Sequence, residues 1–245
     1  MSAIAALPRL GVLGGMGPLA TADFLRKLTE ATPAERDQEH LPVIVYSVPQ
    51  IPDRVAPILG SGGESPLPAM IEGVRTLEAA GAESIVIPCI TAHHWYDELC
   101  RTARVPIIHI ADATCNTLRE RHVDGAVGLL ATRATLHSGF FQTRLERCGY
   151  HVALPTEEEM QRFVLPAITC VKRNDITGAL ALAIQAVEGV LRRGAAAVVL
   201  ACSELPLALE TADFALAARC VDTLAALARC CVAWARLPAA TDKHL

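Results

Sequence analysis

Short unbroken apolar runs alternate along this chain with longer stretches in which apolar positions recur every three or four residues. The first kind predicts strands buried on both faces, the second amphipathic helices. Arg9 to Leu13 is the first strand. It ends in Gly14-Gly15-Met16-Gly17-Pro18, and a helix is expected from about Leu19 to Thr32, with Pro18 suited to its first turn. A second strand covers Pro42 to Tyr46, and a long loop rich in Gly and Pro covers Ser47 to Ser65. A helix from Pro66 to Ala80 is stopped by Gly81, and the strand Ser84 to Ile87 follows. His93 to Arg101 reads as a helix and Pro106 to Ile110 as a short strand.

The pattern then restarts. Ala126 to Ala131 is a strand, Thr135 to Cys148 a helix and His151 to Leu154 a strand. Helices are expected over Glu157 to Lys172 and Ile176 to Arg193, then a strand over Ala197 to Ala201 and a final helix over about Ala212 to Arg236. Alternating strands and helices of this kind form parallel βαβ units. The restart near the middle predicts two α/β lobes with a cleft between them. Residues 1–110 with 208–245 form the first lobe, the final helix packing back on it, and residues 111–207 form the second.

A hydrophobic content of 52% supports a sizeable core, but no apolar run reaches the roughly 18 residues that span a bilayer. Only Ala3 to Leu7 precede Pro8, without basic residues, so no leader peptide is expected. The net charge is −4 and Lys and Arg are scattered, which argues against a nucleic-acid or anionic-membrane partner. Nine cysteines without a CxxC pair point to a reducing cytosol. Seven of them (Cys100, Cys115, Cys148, Cys170, Cys220, Cys230 and Cys231) stand in helix-like stretches and read as packing residues.

The other two carry one motif twice. Ser84-Ile85-Val86-Ile87-Pro88-Cys89-Ile90-Thr91-Ala92 and Ala197-Val198-Val199-Leu200-Ala201-Cys202-Ser203-Glu204-Leu205 each take an apolar strand into a cysteine and then a hydroxyl residue. Gly-Ala precedes both, as Gly81-Ala82 and Gly194-Ala195. Ligands of open α/β sheets bind beyond the carboxyl ends of strands, where Cys89 and Cys202 stand. A pseudo-twofold would oppose the two thiols across one cleft. That arrangement suits removing a proton from one face of a carbon and returning it to the other. A helix starting soon after each cysteine is expected to lower its thiol pKa. Thr91 and Ser203 can donate hydrogen bonds to a thiolate or a carboxylate, and Glu204 can relay a proton to Cys202. His93 with Asp97, or His94 with Glu98, has helical spacing but no further ligand cluster, so no metal site is expected. Gly14 to Gly17 is neither GxGxxG nor a P-loop, and reads as a tight turn lining the cleft.

These residues carry a resemblance over nearly the whole chain. Gly11-Val12-Leu13-Gly14-Gly15-Met16-Gly17-Pro18 with Ala20-Thr21 resembles the opening of the cofactor-independent aspartate/glutamate racemases, in their aspartate racemase branch. Pro49-Gln50-Ile51-Pro52-Asp53-Arg54, Pro88-Cys89-Ile90-Thr91-Ala92-His93, Gly128-Leu129-Leu130-Ala131-Thr132 with Thr135, and Cys202-Ser203-Glu204-Leu205-Pro206-Leu207 are similar to that branch's later segments, in order. The resemblance implies two Rossmann-like α/β lobes related by pseudo-twofold symmetry with the active-site cleft between them, commonly as a homodimer. It implies no pyridoxal phosphate and no metal, hence no cofactor. One of Cys89 and Cys202 would abstract the α-proton and the other would return one. Arg54 would bind a substrate carboxylate by its planar fork, and Lys172 the distal carboxylate. Thr91, Thr132, Thr135 and Ser203 would add hydrogen bonds. Gly15, Met16, Gln50 and Ile90 would line the cleft.

The chain departs from the family in two places. Ile90 stands where asparagine normally follows the first cysteine, and Ser47-Val48 stands where the loop after the second strand usually carries asparagine. Losing a hydrogen bond to a charged group costs about 1.5–3 kcal/mol, so the two-thiol machinery reads as complete and the substrate recognition as altered. The leading expectation is an amino-acid racemase of the aspartate/glutamate type, acting on a small amino acid or dicarboxylate. The alternatives are a relative acting on another α-acidic carboxylate (of the maleate isomerase, hydantoin racemase or arylmalonate decarboxylase type) and a non-catalytic ligand-binding homologue.

Overall fold

The computed structural model describes residues 7–237, without the side chain of Phe214. Of the stretch Ala3 to Leu7 read above for a leader, only Leu7 falls within it. Among the described residues, seven parallel strands form two sheets. Strands β1 (Leu10–Gly14), β2 (Val43–Ser47) and β3 (Ser84–Val86) make the first, in the order β2-β1-β3. Strands β4 (Ala126–Ala131), β5 (His151–Ala153), β6 (Ala197–Ala201) and β7 (Cys220–Asp222) make the second, in the order β5-β4-β6-β7. Leu10 stands opposite Val43 on one side and Ser84 on the other, and Val127 of β4 stands opposite Ala197. All five residues of β1 and of β6 are buried, as unbroken apolar runs require when helices cover both faces.

The two lobes are wound alike. The first strand of each is central, the second lies on one side and the third on the other. A bridge between Ile85 and Ile107 takes the place in the first sheet that β7 takes in the second. The helices Leu67–Ala79 and Ile176–Arg192 end alike too. Gly81 and Gly194 adopt φ +91° and +93°, and the next residues, Ala82 and Ala195, return N–H groups to the carbonyls of Leu77 and Val190. Glycine is favoured there because a Cβ would strain the left-handed turn.

Pro106 to Ile110 forms that bridge rather than a strand, and the helix Ile110–Glu120, absent from the sequence-based expectation, begins at once. Its first turn is capped by the His109 ring, which accepts from the Ala111 N–H at 3.0 Å. The expected helix Thr135 to Cys148 is two, Arg133–Ser138 and Phe140–Arg147, broken at Gly139 with φ +71°. The long loop after β2 contains a short helix, Val55–Ile58.

Residues after 207 divide, which corrects the expectation that all of them join the first lobe. The short helix Phe214–Ala218 leads into β7, which pairs with β6 at the edge of the second sheet. The helix Thr223–Arg236 packs on both lobes, against the helices Pro18–Ala31 and Ile110–Glu120. Asp222 makes the corner: its carboxylate accepts from the N–H groups of Leu224 and Ala225 and pairs with Lys27 at 2.7 Å. One apolar cluster joins Phe24 and Leu28 to Leu118, Phe141, Leu227 and Trp234, so a shared core holds the lobes together. Among the described residues, no helix is long and apolar enough to cross a membrane.

Candidate active site

Five strand ends converge on one cavity. Met16 follows β1, Asp53, Arg54 and Val55 lie in the loop after β2, and Cys89, Ile90 and Thr91 follow β3. Thr132 follows β4, and Cys202, Ser203 and Glu204 follow β6. Lys172 reaches in from the end of the helix Leu165–Lys172. Strands of parallel sheets all point their carboxyl ends to one side, so two lobes facing each other bring these loops together. The cavity is small, ≈ 30 Å³, room for about two waters at ~10–15 Å³ each.

Of the residues singled out in the sequence, Met16, Arg54, Cys89, Ile90, Thr91, Thr132, Lys172, Cys202, Ser203 and Glu204 line this cavity. Thr135 stands behind the wall, fully buried. Its hydroxyl lies 2.9 Å from that of Thr91 and 3.0 Å from that of Thr132, and the Thr91 and Thr132 hydroxyls are 3.2 Å apart. Three hydroxyls thus close a ring across the two lobes. Gly15 and Gln50 are not in the wall. Gly15 is buried with φ +91°, and a Cβ there would meet the Val48 backbone carbon and nitrogen at 2.4 Å. Its role is to let the β1 and β2 loops touch. Gln50 is exposed, which corrects its placement among the cleft-lining residues, because the turn after β2 directs Arg54 inward instead. Asp53 and Val55 were missed from the sequence. Asp53 accepts from the N–H groups of Val55 and Ala56 and so starts the short helix that carries Arg54 at its head.

Each cysteine has its own charged surroundings. Burial pushes the Cys89 thiol up, while the Arg54 guanidinium and the Ala92 N–H pull it back. Burial also raises Cys202, well above the usual thiol value, and the Glu204 carboxylate raises it further; the Glu204 N–H and Lys172 act in the opposite direction. Cys202 Sγ donates to Glu204 Oε2 at 3.0 Å, and Ser203 Oγ donates to the same oxygen at 3.0 Å. The expectation of lowered thiol pKa values is therefore reversed. Helix N–H groups do favour both thiolates, but desolvation outweighs them. Arg54 is anchored by donating to the carbonyls of Pro52 at 3.1 Å and Ile51 at 3.4 Å, and its buried Nε has no partner among the described residues. An unpartnered guanidinium N–H beside a cavity is a donor available to an anion.

His93 holds the Cys89 turn. Its Nε2 accepts from the Ile110 N–H at 3.3 Å, so Nδ1 carries the proton and donates to the Cys89 carbonyl at 3.0 Å. Burial pushes this ring down to about 4, keeping it neutral.

Comparison with known proteins bears on the family and the fold. The family model described as Asp/Glu/hydantoin racemase matches residues 13–231. The aspartate racemase of Picrophilus torridus is 31% identical, with a TM-score of 0.79 over 92% of this chain and 94% of that one. The broad specificity amino-acid racemase RacX of Bacillus subtilis (strain 168) is 29% identical over 168 residues, 67% of this chain and 71% of RacX. A glutamate racemase of Francisella tularensis, solved with D-glutamate, shares the fold at 15% identity, with a TM-score of 0.66 over 93% of this chain and 80% of that one. With most of its length matched by the family model and its fold shared with these enzymes, the chain belongs to the Asp/Glu/hydantoin racemase family.

Proposed function

We propose that this enzyme is a cofactor-independent amino-acid racemase in which Cys89 and Cys202 exchange the α-proton. The observation that carries the reading is that the two cysteines, delivered by equivalent strands β3 and β6, line one cavity, Cys89 under the influence of Arg54 and Cys202 under that of Lys172. One cysteine enters as thiolate and takes the α-proton from its side. The electron pair left on the α-carbon delocalises into the α-carboxylate. The opposite thiol then donates its proton to the other face, so the product is the enantiomer and the cysteines have traded states. The α-proton of an amino acid is barely acidic, and the step needs the growing negative charge to be met by fixed donors in a dry site. Arg54 supplies charge, and Thr91, Thr132 and Ser203 supply hydroxyls. Thr135 orders the first two of these hydroxyls.

Glu204 is placed to receive the Cys202 proton when that cysteine must act as the base. Arg54 and Lys172 make aspartate and glutamate the first substrates to test, while Ile90 leaves the family's usual amide contact empty. The reading also takes over the family's homodimer and a reducing, cytoplasmic setting for the free thiols. Proton NMR in D2O, with the purified protein and a panel of L- and D-amino acids, tests it. Loss of an α-proton signal with the opposite enantiomer appearing supports it. No exchange across the panel overturns it and turns the search to malonates, maleate and hydantoins.

A further inference from the structure

A second cavity, ≈ 330 Å³, shares Lys172 and Glu204 with the cysteine cavity. Its other walls are residues 17–20 at the start of the first helix, together with Val171, Asn174 and Leu207. Pro18, Leu19, Ala20, Val171 and Leu207 make it mainly apolar. Leu19 is 46% exposed, a large apolar side chain left out of the core. By contrast, the cavity beside the thiols measures only ≈ 30 Å³. An amino acid whose α-carbon lies between Cys89 and Cys202 has little room there for a long side chain, and the larger cavity lies on the other side of Lys172 and Glu204, which line both. That lysine is exposed at the end of its helix, where its flexible stem can swing towards water.

We infer that the second cavity is the side-chain subsite of the enzyme and that it takes large apolar side chains, of the size of leucine, methionine or phenylalanine. A short acidic side chain stops at Lys172. A longer apolar one passes it and is buried against Leu19, Val171 and Leu207, where removal from water favours it in proportion to its area. The apolar Ile90 beside Cys89 is consistent with such a substrate. The inference rests on the racemase reading above and adds the class of substrate.

Two substitutions test it in the full-length protein. Gly17 lines the cavity with an extended backbone (φ −103°), and a Cβ there would meet no atom of the described residues within 4 Å, so Gly17→Leu is expected to fill part of the cavity. Leu19→Glu puts a carboxylate on the apolar wall, at a first-turn position that the helix dipole favours. Exchange of the α-proton in D2O is followed for leucine, methionine, phenylalanine, alanine and aspartate. The expected result is exchange of the large apolar substrates by the wild type, with kcat/KM for leucine relative to alanine falling tenfold or more in both variants. Exchange of alanine or aspartate without the large apolar substrates overturns this inference and leaves the racemase reading standing. So does an unchanged ratio in both variants, including the case where light scattering shows that Leu19→Glu instead disrupts an assembly of copies. No exchange of any amino acid overturns the racemase reading and this inference with it.

Discussion

Glu204 Oε2 accepts a hydrogen bond from the Cys202 thiol at 3.0 Å and one from Ser203 Oγ at the same distance. A carboxylate in that position keeps the proton on sulfur and is also where the proton can go. Glu204→Gln removes the charge, so Cys202 should ionise at a lower pH. The pH dependence of iodoacetamide labelling of Cys202, read by peptide mass mapping, should move down. Racemisation should fall by about 10²–10⁴ as the proton acceptor is lost. The fall in kcat/KM must be equal in both directions, because the equilibrium constant between enantiomers is one. Unchanged labelling together with unchanged turnover would remove Glu204 from the mechanism.

Arg54 acts on Cys89 in the opposite sense, offsetting part of the effect of burial. In Arg54→Gln the labelling profile of Cys89 should move up in pH, while that of Cys202 stays in place. KM for an acidic substrate should rise at least tenfold if the unpaired Nε side of the guanidinium meets a carboxylate. A rise in KM without movement of Cys89 would separate substrate binding from thiol tuning.

Cys89→Ala and Cys202→Ala should each cut racemisation at least a thousandfold, with circular dichroism unchanged. Substantial activity in either variant would falsify the two-thiol mechanism. In the wild type, both thiols are raised, so the thiolate fraction at neutral pH is smaller than that of a free cysteine. The rate should therefore climb with pH through the neutral range instead of levelling off there, as a pH profile of kcat/KM will show.

Gly15→Ala should be costly away from the thiols. Its φ of +91° disfavours any side chain, and the added Cβ would meet the Val48 backbone at 2.4 Å. A loss of at least about 2 kcal/mol in urea unfolding is expected from the backbone conformation and the clash together. Activity should fall with it, since the β1 and β2 loops carry Met16 and Arg54. A fully stable, fully active variant would show that the loops can part without consequence.

Buried His93 couples stability to pH. Its ring is held neutral, with the pKa pushed down to about 4 from an ordinary 6.5. The unfolded chain takes up this proton near 6.5 and the folded one only near 4, so the stabilisation is complete above pH 6.5 and is lost as pH falls towards 4. The loss amounts to about 3 kcal/mol at ~1.4 kcal/mol per unit. Neighbouring His109 is also held neutral by burial, so it adds a slope of the same sign from about pH 6.5 downward. Urea unfolding between pH 4 and 7 should show the slope, and His93→Gln should make it shallower, leaving the share of His109.

Much of this molecule was legible in local pattern. The unbroken apolar runs of β1, β4 and β6, the glycine stops at Gly81 and Gly194, and the repeated strand-to-cysteine motif all depend on neighbours within a few positions. Backbone geometry and burial period alone dictate them. Tertiary structure decided what depends on partners distant in sequence. The three residues of β7 carry too little pattern to announce a strand, and they become one only because the β6 edge offers unpaired backbone groups. Gln50 and Asp53 stand in the same loop, yet the capping hydrogen bonds of Asp53 turn Arg54 inward and leave Gln50 in water. The Thr91, Thr132 and Thr135 hydroxyls meet only once the lobes close on a common core. The raised thiols follow from that closure too, because desolvation belongs to the assembled cavity and has no local signature in the chain.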